Sequence, residues 1–319
     1  AYRLMGVTYD YFFDLFGRDG IDGEGGRLRA TVRHCSLGCP WNNAKWDWSS
    51  QQAVFGRGWA RADDIVGHEL THGLLDAEAP LFYHYQSGAI NESYADVFGE
   101  FIDLSYPGGK DTARTKWTIG EDTPVGAFRD MRNPTRKGHP DRTRSPKWHT
   151  GTSDNGGVHR NSGVGNKAAY LMTDGDYHNG YTVSGLGIDK TAKILYEVQT
   201  NLLTSGSDYA DLYDYLYQAC LNLVGSHGIV IADCGEVRDA TDAVEMNLEP
   251  RGYTGFSPDN AAYCPSGSEQ AASFFSEDFE TPHTWYIDSI AGSANNWYLR
   301  FEFNATSQNY DIANYSVPF

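Results

Sequence analysis

In the segment His68-Glu69-Leu70-Thr71-His72 two imidazoles stand four residues apart with a carboxylate between them. On a helix that spacing projects both rings from one face, one turn apart, so both can grip a single ion while Glu69 stays within reach. The flanking runs Ile65-Val66-Gly67 and Gly73-Leu74-Leu75 are apolar. Two unpaired imidazoles and a carboxylate are costly to bury there, and a bound cation offsets that cost. Catalytic zinc takes three protein ligands and keeps one position open, so a third ligand has to come from another element. Glu92, in Asn91-Glu92-Ser93-Tyr94-Ala95-Asp96, can supply it. Asp96 lies one turn further along the same face, where it can accept the other ring N–H of a ligating histidine and fix its tautomer, with Asn91 as a second outer support.

The elements that must hold these groups follow from periodicity. A helix is predicted over residues 7–16, then short strands at Leu28–Arg33, Lys45–Trp48 and Gln52–Phe55. From Asp63 the pattern turns helical, with Asp63 and Asp64 as N-cap and first-turn charge of a helix that runs to about Ala77 and is ended by Pro80. Further helices are predicted at Ala89–Leu104, Gly163–Thr173, Ile188–Leu203, Asp208–Leu223 and Cys234–Met246. The expected fold class is α+β. Residues 1–78 form a β-containing lobe ending in the histidine helix, 79–250 a mainly α-helical lobe, 251–273 a linker rich in Gly, Ser, Pro and Ala, and 274–319 the start of a β module carrying sequons at Asn304 and Asn314.

Three blocks in order resemble the thermolysin family of secreted zinc endopeptidases. They are Asp64-Ile65-Val66-Gly67-His68-Glu69-Leu70-Thr71-His72-Gly73, then Tyr85 to Gly99 around Asn91-Glu92-Ser93, then Gly151 to Gly163 around Asp154-Asn155-Gly156-Gly157-Val158-His159. The resemblance implies a two-lobe peptidase with the zinc cleft between the lobes. It implies zinc on His68, His72 and Glu92, and a metal-activated water with Glu69 as general base. His159, oriented by Asp154, and Tyr83 would stabilise the oxyanion. Arg129 would grip the substrate carbonyl after the scissile bond, and Asn43 and Ala44 would pair with the substrate backbone. Ile65, Ile119 and Phe128 would line a pocket for a bulky apolar residue after the cut. Asp64, Glu100, Asp103 and Glu121 match a carboxylate site for calcium; Lys116 falls where relatives place another Asp, so one calcium rather than two is expected.

Compared with that family the chain lacks a further β-rich stretch ahead of the first helix, which leaves a zinc-binding scaffold without turnover as a rival reading. An aminopeptidase of the same ligand pattern is a second rival, although no acidic Gly-Ala-Met-Glu-Asn type segment for a free amine is found. The chain begins at Ala1, so a targeting and pro-segment has been removed or the sequence trimmed. The remaining arithmetic sorts partners. Lys plus Arg is 25 against 42 Asp plus Glu, a net charge of −17, which sets nucleic acid and anionic membranes aside. Polypeptide substrates, an inhibitory pro-segment, an extracellular location and a monomer are the expectations. Five cysteines suggest two bridges, Cys35 with Cys39 and Cys220 with Cys234, and an odd Cys264; free buried thiols and zinc ligation by the first pair are the alternatives.

Overall fold

The structure, a computed structural model, describes residues 1–36, 38–106 and 112–252. The first helix, α1 (Tyr2–Phe16), starts a turn earlier than its apolar pattern and stops at Gly17, whose φ of 72° is left-handed. Two short strands, β1 (Asp19–Gly20) and β2 (Glu24–Gly26), pair with each other. Strands β3 (Ala30–Val32), β4 (Ala44–Asp47) and β5 (Gln52–Phe55) form a sheet of order β3-β5-β4, β3 parallel and β4 antiparallel to β5. β4 is therefore an outer strand. Its burial alternates, Ala44 and Trp46 inward and Lys45 outward, as a half-buried strand requires.

Helix α2 (Asp63–Glu78) carries the histidine pair. The N-cap is Ala62, not Asp63; both aspartates lie in the first turn, where their charge suits the free amides of the helix start, and Asp64 Oδ1 accepts from the Ile65 amide at 2.7 Å. The helix is buried on every side from Asp63 to Leu75, which is why it lacks a polar stripe. Its main neighbour is α3 (Tyr85–Ser105), which begins four residues before the expected Ala89. The two helices approach closely because Gly99 has no side chain. A Cβ there would lie 2.5 Å from the Asp64 carbonyl oxygen and 3.2 Å from the His68 amide nitrogen. That contact sets the distance at which Glu92, two turns away on α3, meets the histidines.

Beyond α3, a two-residue ladder joins β6 (Thr118–Ile119) to β7 (Arg129–Asp130), with Ile119 opposite Arg129. A segment that is helical in its second half, α4 (Ser153–Asn161), leads into α5 (Gly163–Asp174). An unanticipated hairpin, β8 (Gly175–His178) and β9 (Tyr181–Ser184), precedes α6 (Ile188–Asn201), α7 (Tyr209–Leu223) and α8 (Ile231–Ala243). The last helix starts three residues before Cys234. A continuous core runs through Phe12, Phe55, Leu70, Phe98, Phe101 and Trp117. Cys35 bonds Cys39 and Cys220 bonds Cys234, the second bridge tying α7 to α8. Most of the expected linker, the β module with its sequons, and Cys264 lie outside the described residues.

Candidate metal centre

The α2–α3 crossing brings His68, His72 and Glu92 together. One ligand atom from each lies within 4.8 Å of the others, and all three residues are buried. The two Nε2 atoms face each other at 3.0 Å, close to the roughly 3.3 Å separation of two nitrogens on one tetrahedral zinc. Glu92 is fully buried; its Oε1 is 3.4 Å from His72 Nε2 and its Oε2 3.7 Å from His68 Nε2. The Tyr83 hydroxyl donates to Oε1, whereas Oε2 has no hydrogen-bond partner. A buried carboxylate oxygen left open beside two converging imidazole nitrogens fits a cation.

The outer atom of each ring faces an oxygen. His72 Nδ1 meets Asn91 Oδ1 at 2.6 Å, and His68 Nδ1 lies 2.9 Å from Asp96 Oδ1. Both Nε2 lone pairs are thereby directed at the centre. Asp96 is itself anchored: Arg129 donates to Oδ1 from Nε at 3.1 Å and Nη2 at 2.8 Å, and Asn166 Nδ2 donates to Oδ2 at 2.7 Å. Asn166, on α5, has no signature in sequence beyond being an amide in the apolar helix Ala168-Ala169-Tyr170-Leu171. Burial would raise the Asp96 carboxyl, but the Arg129 charge overcomes it and holds the group below the ordinary range. Burial likewise opposes ionisation of Glu92, and the charges of His159 and His72 outweigh it, keeping the carboxyl well below the usual value. Glu69, also buried, has its carboxyl pushed up by burial, partly offset by His68 and His72.

His159 enters from the segment after Ser153. Asp154, Asn155, Gly156 and Gly157 all have left-handed φ, from 49° to 86°, so the first half of α4 winds the opposite way to its second half. Side chains fit badly at the two glycines: a Cβ on Gly156 would lie 2.3 Å from the Tyr85 ring, and one on Gly157 2.6 Å from His149. The run Asp-Asn-Gly-Gly-Val-His thus turns through its first four residues before the helical half of α4 begins. It returns Asp154 under His159, whose Nδ1 is 2.6 Å from Oδ1 and whose amide donates to Oδ2 at 3.1 Å. His159 Nε2 then points to the centre, 3.3 Å from the Tyr83 hydroxyl and 3.5 Å from Glu92 Oε1. The negative charge of Glu92 raises the imidazole to about 9, against the opposing effect of burial and with help from Asp154.

A cleft of about 370 Å³ opens over these groups, with Asn43, Ala44, Ile65, Phe128, Arg129 and His159 in its lining. Glu69 and His68 also line it. Ile119 is fully buried and does not reach the lining; its carbonyl accepts from the Phe128 amide at 2.9 Å. His139, treated in sequence as an ordinary histidine, does line the cleft, and burial with the nearby Arg129 charge lowers it to about 4. Nothing in its surroundings along the chain signals this, because 70 residues separate it from Glu69. Of the carboxylates matched to calcium, Asp64 is buried and its Oδ2 accepts from the Gly120 amide at 2.5 Å, while Glu121 Oε2 accepts from Thr118 at 3.1 Å. Lys116 pairs with Asp174 at 2.8 Å. Among the described residues no helix is long and apolar enough to cross a membrane.

Two histidines one turn apart, a glutamate from a crossing helix and a second buried carboxylate beneath a cleft define a centre of the metallopeptidase class. Two family models match the chain: the thermolysin metallopeptidase catalytic domain over residues 1–76 and the thermolysin metallopeptidase alpha-helical domain over residues 79–246. The chain belongs to the thermolysin metallopeptidase family. It is 43% identical over 244 residues to a zinc metalloproteinase of Renibacterium salmoninarum, covering 72% of this chain and 44% of that one. A bacillolysin of Bacillus caldolyticus is 40% identical over 256 residues, covering 76% and 44%. The chain thus spans less than half the length of these curated relatives. Among solved structures, the precursor of protealysin, a metalloproteinase from Serratia proteamaculans, superposes with a TM-score of 0.62 at 29% identity over 77% of each chain.

Proposed function

We propose that this chain is a zinc-dependent endopeptidase that hydrolyses internal peptide bonds in extracellular polypeptides. The observation that carries the reading is the convergence of His68, His72 and the open Glu92 oxygen beside Glu69 in the lining of the cleft. Zinc held by these three residues would polarise the scissile carbonyl and lower the pKa of an attacking water. Glu69 would take that water's proton and return it to the leaving amine, and burial pushes its carboxyl up from the ordinary value, in the direction that favours accepting a proton. The Tyr83 hydroxyl and His159 Nε2 lie 3.3 Å apart beside Glu92, and with substrate bound they would turn an O–H and an N–H to the negative charge that develops on the carbonyl oxygen. Asp154 fixes the His159 tautomer.

Ala44, the first residue of the outer strand β4, and Asn43 just before it line the cleft, where they would pair by main chain with an extended substrate. Arg129 lines the same cleft for the carbonyl after the bond, and Ile65 with Phe128 favours a bulky apolar side chain there. We also infer one structural calcium near Asp64, Glu100, Asp103 and Glu121. Asp64 is pushed well above the ordinary carboxyl range by burial and then by the charge of Glu121, and a hard cation would relieve both effects. The same reading takes the peptidase as a monomer made with an inhibitory pro-segment.

The test uses the full chain stripped of metal with 1,10-phenanthroline and EDTA, and a peptide blocked at both ends. Zinc restores internal cleavage and calcium alone does not; calcium alone raises the melting temperature. Zinc uptake without cleavage would favour a scaffold instead, and cleavage that needs a free amino terminus would favour an aminopeptidase.

His159 gives a pH prediction. It donates only as the imidazolium, so kcat/KM falls as pH rises through its folded pKa. Bound zinc takes up part of the Glu92 charge that raises the ring, so the alkaline limb is expected between the ordinary 6.5 and about 9. His159→Ala should lower kcat by about 10²-fold and remove that limb from the pH profile. An unchanged limb would assign it to another group.

A further inference from the structure

We propose that Trp48, together with Tyr83, forms an aromatic shelf that selects a large apolar or aromatic side chain on the amino-terminal side of the scissile bond. The proposal rests on the endopeptidase reading above and adds a specificity residue to it. Trp48 opens the four-residue turn between β4 and β5, and it continues the alternation that turns Ala44 and Trp46 inward. Trp46 is 2% exposed, yet Trp48 is 42% exposed. On the order of 100 Å² of indole surface is therefore open to solvent beside the metal centre. Its ring centre lies 5.2 Å from that of Tyr83 and 6.1 Å from that of the ligand His72.

The direction of the shelf follows from two elements. On α2, Ile65, His68 and Glu69 face the cleft near Phe128, and His72, one turn further, faces Trp48. On β4, Ala44 is at the Phe128 end, and Trp48 is four residues along, about 13 Å away. A peptide extended against this outer strand covers the same length with about four residues. A side chain after the bond that reaches Ile65 and Phe128 leaves the preceding residues over His72, Tyr83 and Trp48. Half-open aromatic rings there recognise flat or bulky apolar groups by stacking and burial, with little demand on polar detail.

The experiment compares two peptides blocked at both ends, with Leu after the scissile bond and either Phe or Ala before it. The zinc-loaded chain is expected to cleave the Phe peptide with a kcat/KM about tenfold or more above the Ala peptide. Trp48→Ala should reduce that ratio to below about threefold, while Trp48→Phe retains most of it. The ratio is unaffected by a partly unfolded variant, because both peptides meet the same active fraction. Equal cleavage of the two peptides by the wild type, or a wild-type ratio in Trp48→Ala, overturns the shelf and leaves the endopeptidase reading standing. Cleavage of neither peptide by the zinc-loaded wild type defeats the endopeptidase reading itself, and the shelf with it.

Discussion

Replacing Glu69 with Gln is expected to lower kcat by about 10³-fold or more while the protein still binds one zinc per chain. The two halves of that result come from different parts of the site. Glu69 is not one of the three residues whose ligand atoms converge, so removing its charge leaves His68, His72 and Glu92 as they are. Glutamine has the same shape but cannot accept a proton, and general-base catalysis contributes about 10²- to 10⁴-fold. The site then keeps its metal and oxyanion donors without a group to activate water. Glu69 is 5% exposed, so bulk solvent cannot easily substitute for it. The loss should therefore fall in kcat, with KM nearly unchanged, because an interaction made in the transition state is the one removed. Zinc content by inductively coupled plasma mass spectrometry and steady-state kinetics on one blocked peptide check both halves. A variant that retains a tenth of wild-type kcat would reassign the base.

How much of this was legible in sequence depends on how local the signal is. His68 and His72 lie on one helical turn, so their spacing alone aligns them, and Glu92 with Asp96 repeats the same one-turn logic on the next helix. Their meeting depends on the α2–α3 contact at Gly99, where sequence shows only a glycine within a helix. Resemblance supplied what spacing could not: Tyr83, Asp154 with His159, and Arg129 come from three separate segments, and all four residues do reach the centre or its supports. What escaped both routes was long-range in origin. Asn166 closes on Asp96 across 70 residues, and His139 reaches the cleft from a loop with no periodic pattern. The β8–β9 hairpin was hidden because its only fully buried position is Val183, too little alternation to read as strands. Trp48 was visible as the end of an alternating run, but not as an exposed ring next to a metal ligand.

Asp96→Ala is expected to have the largest effect on stability, because Asp96 is where the fold and the metal centre are joined. It is fully buried and receives two hydrogen bonds from Arg129 and one from Asn166, while its Oδ1 also faces His68 Nδ1. Arg129 is 6% exposed, and truncating its partner leaves a guanidinium buried without its principal counter-charge. Breaking such a pair from one side costs about 3–5 kcal/mol, far more than the intact pair is worth relative to an apolar replacement. For a domain of this size that corresponds to a fall in melting temperature of roughly 10 °C. Separately, His68 loses the group that holds its outer nitrogen, and outer-support losses of this kind cost about 10- to 100-fold in metal affinity. Melting the zinc-free protein isolates the first effect, and competition with a chromogenic chelator measures the second. Asp96→Asn should fall between the two proteins in both measurements, since an amide oxygen can still accept from Arg129 but carries no charge to balance it. If Asp96→Ala melts within 2 °C of the wild type and binds zinc equally well, Arg129 has another counter-charge and His68 is oriented by its packing on α3 instead.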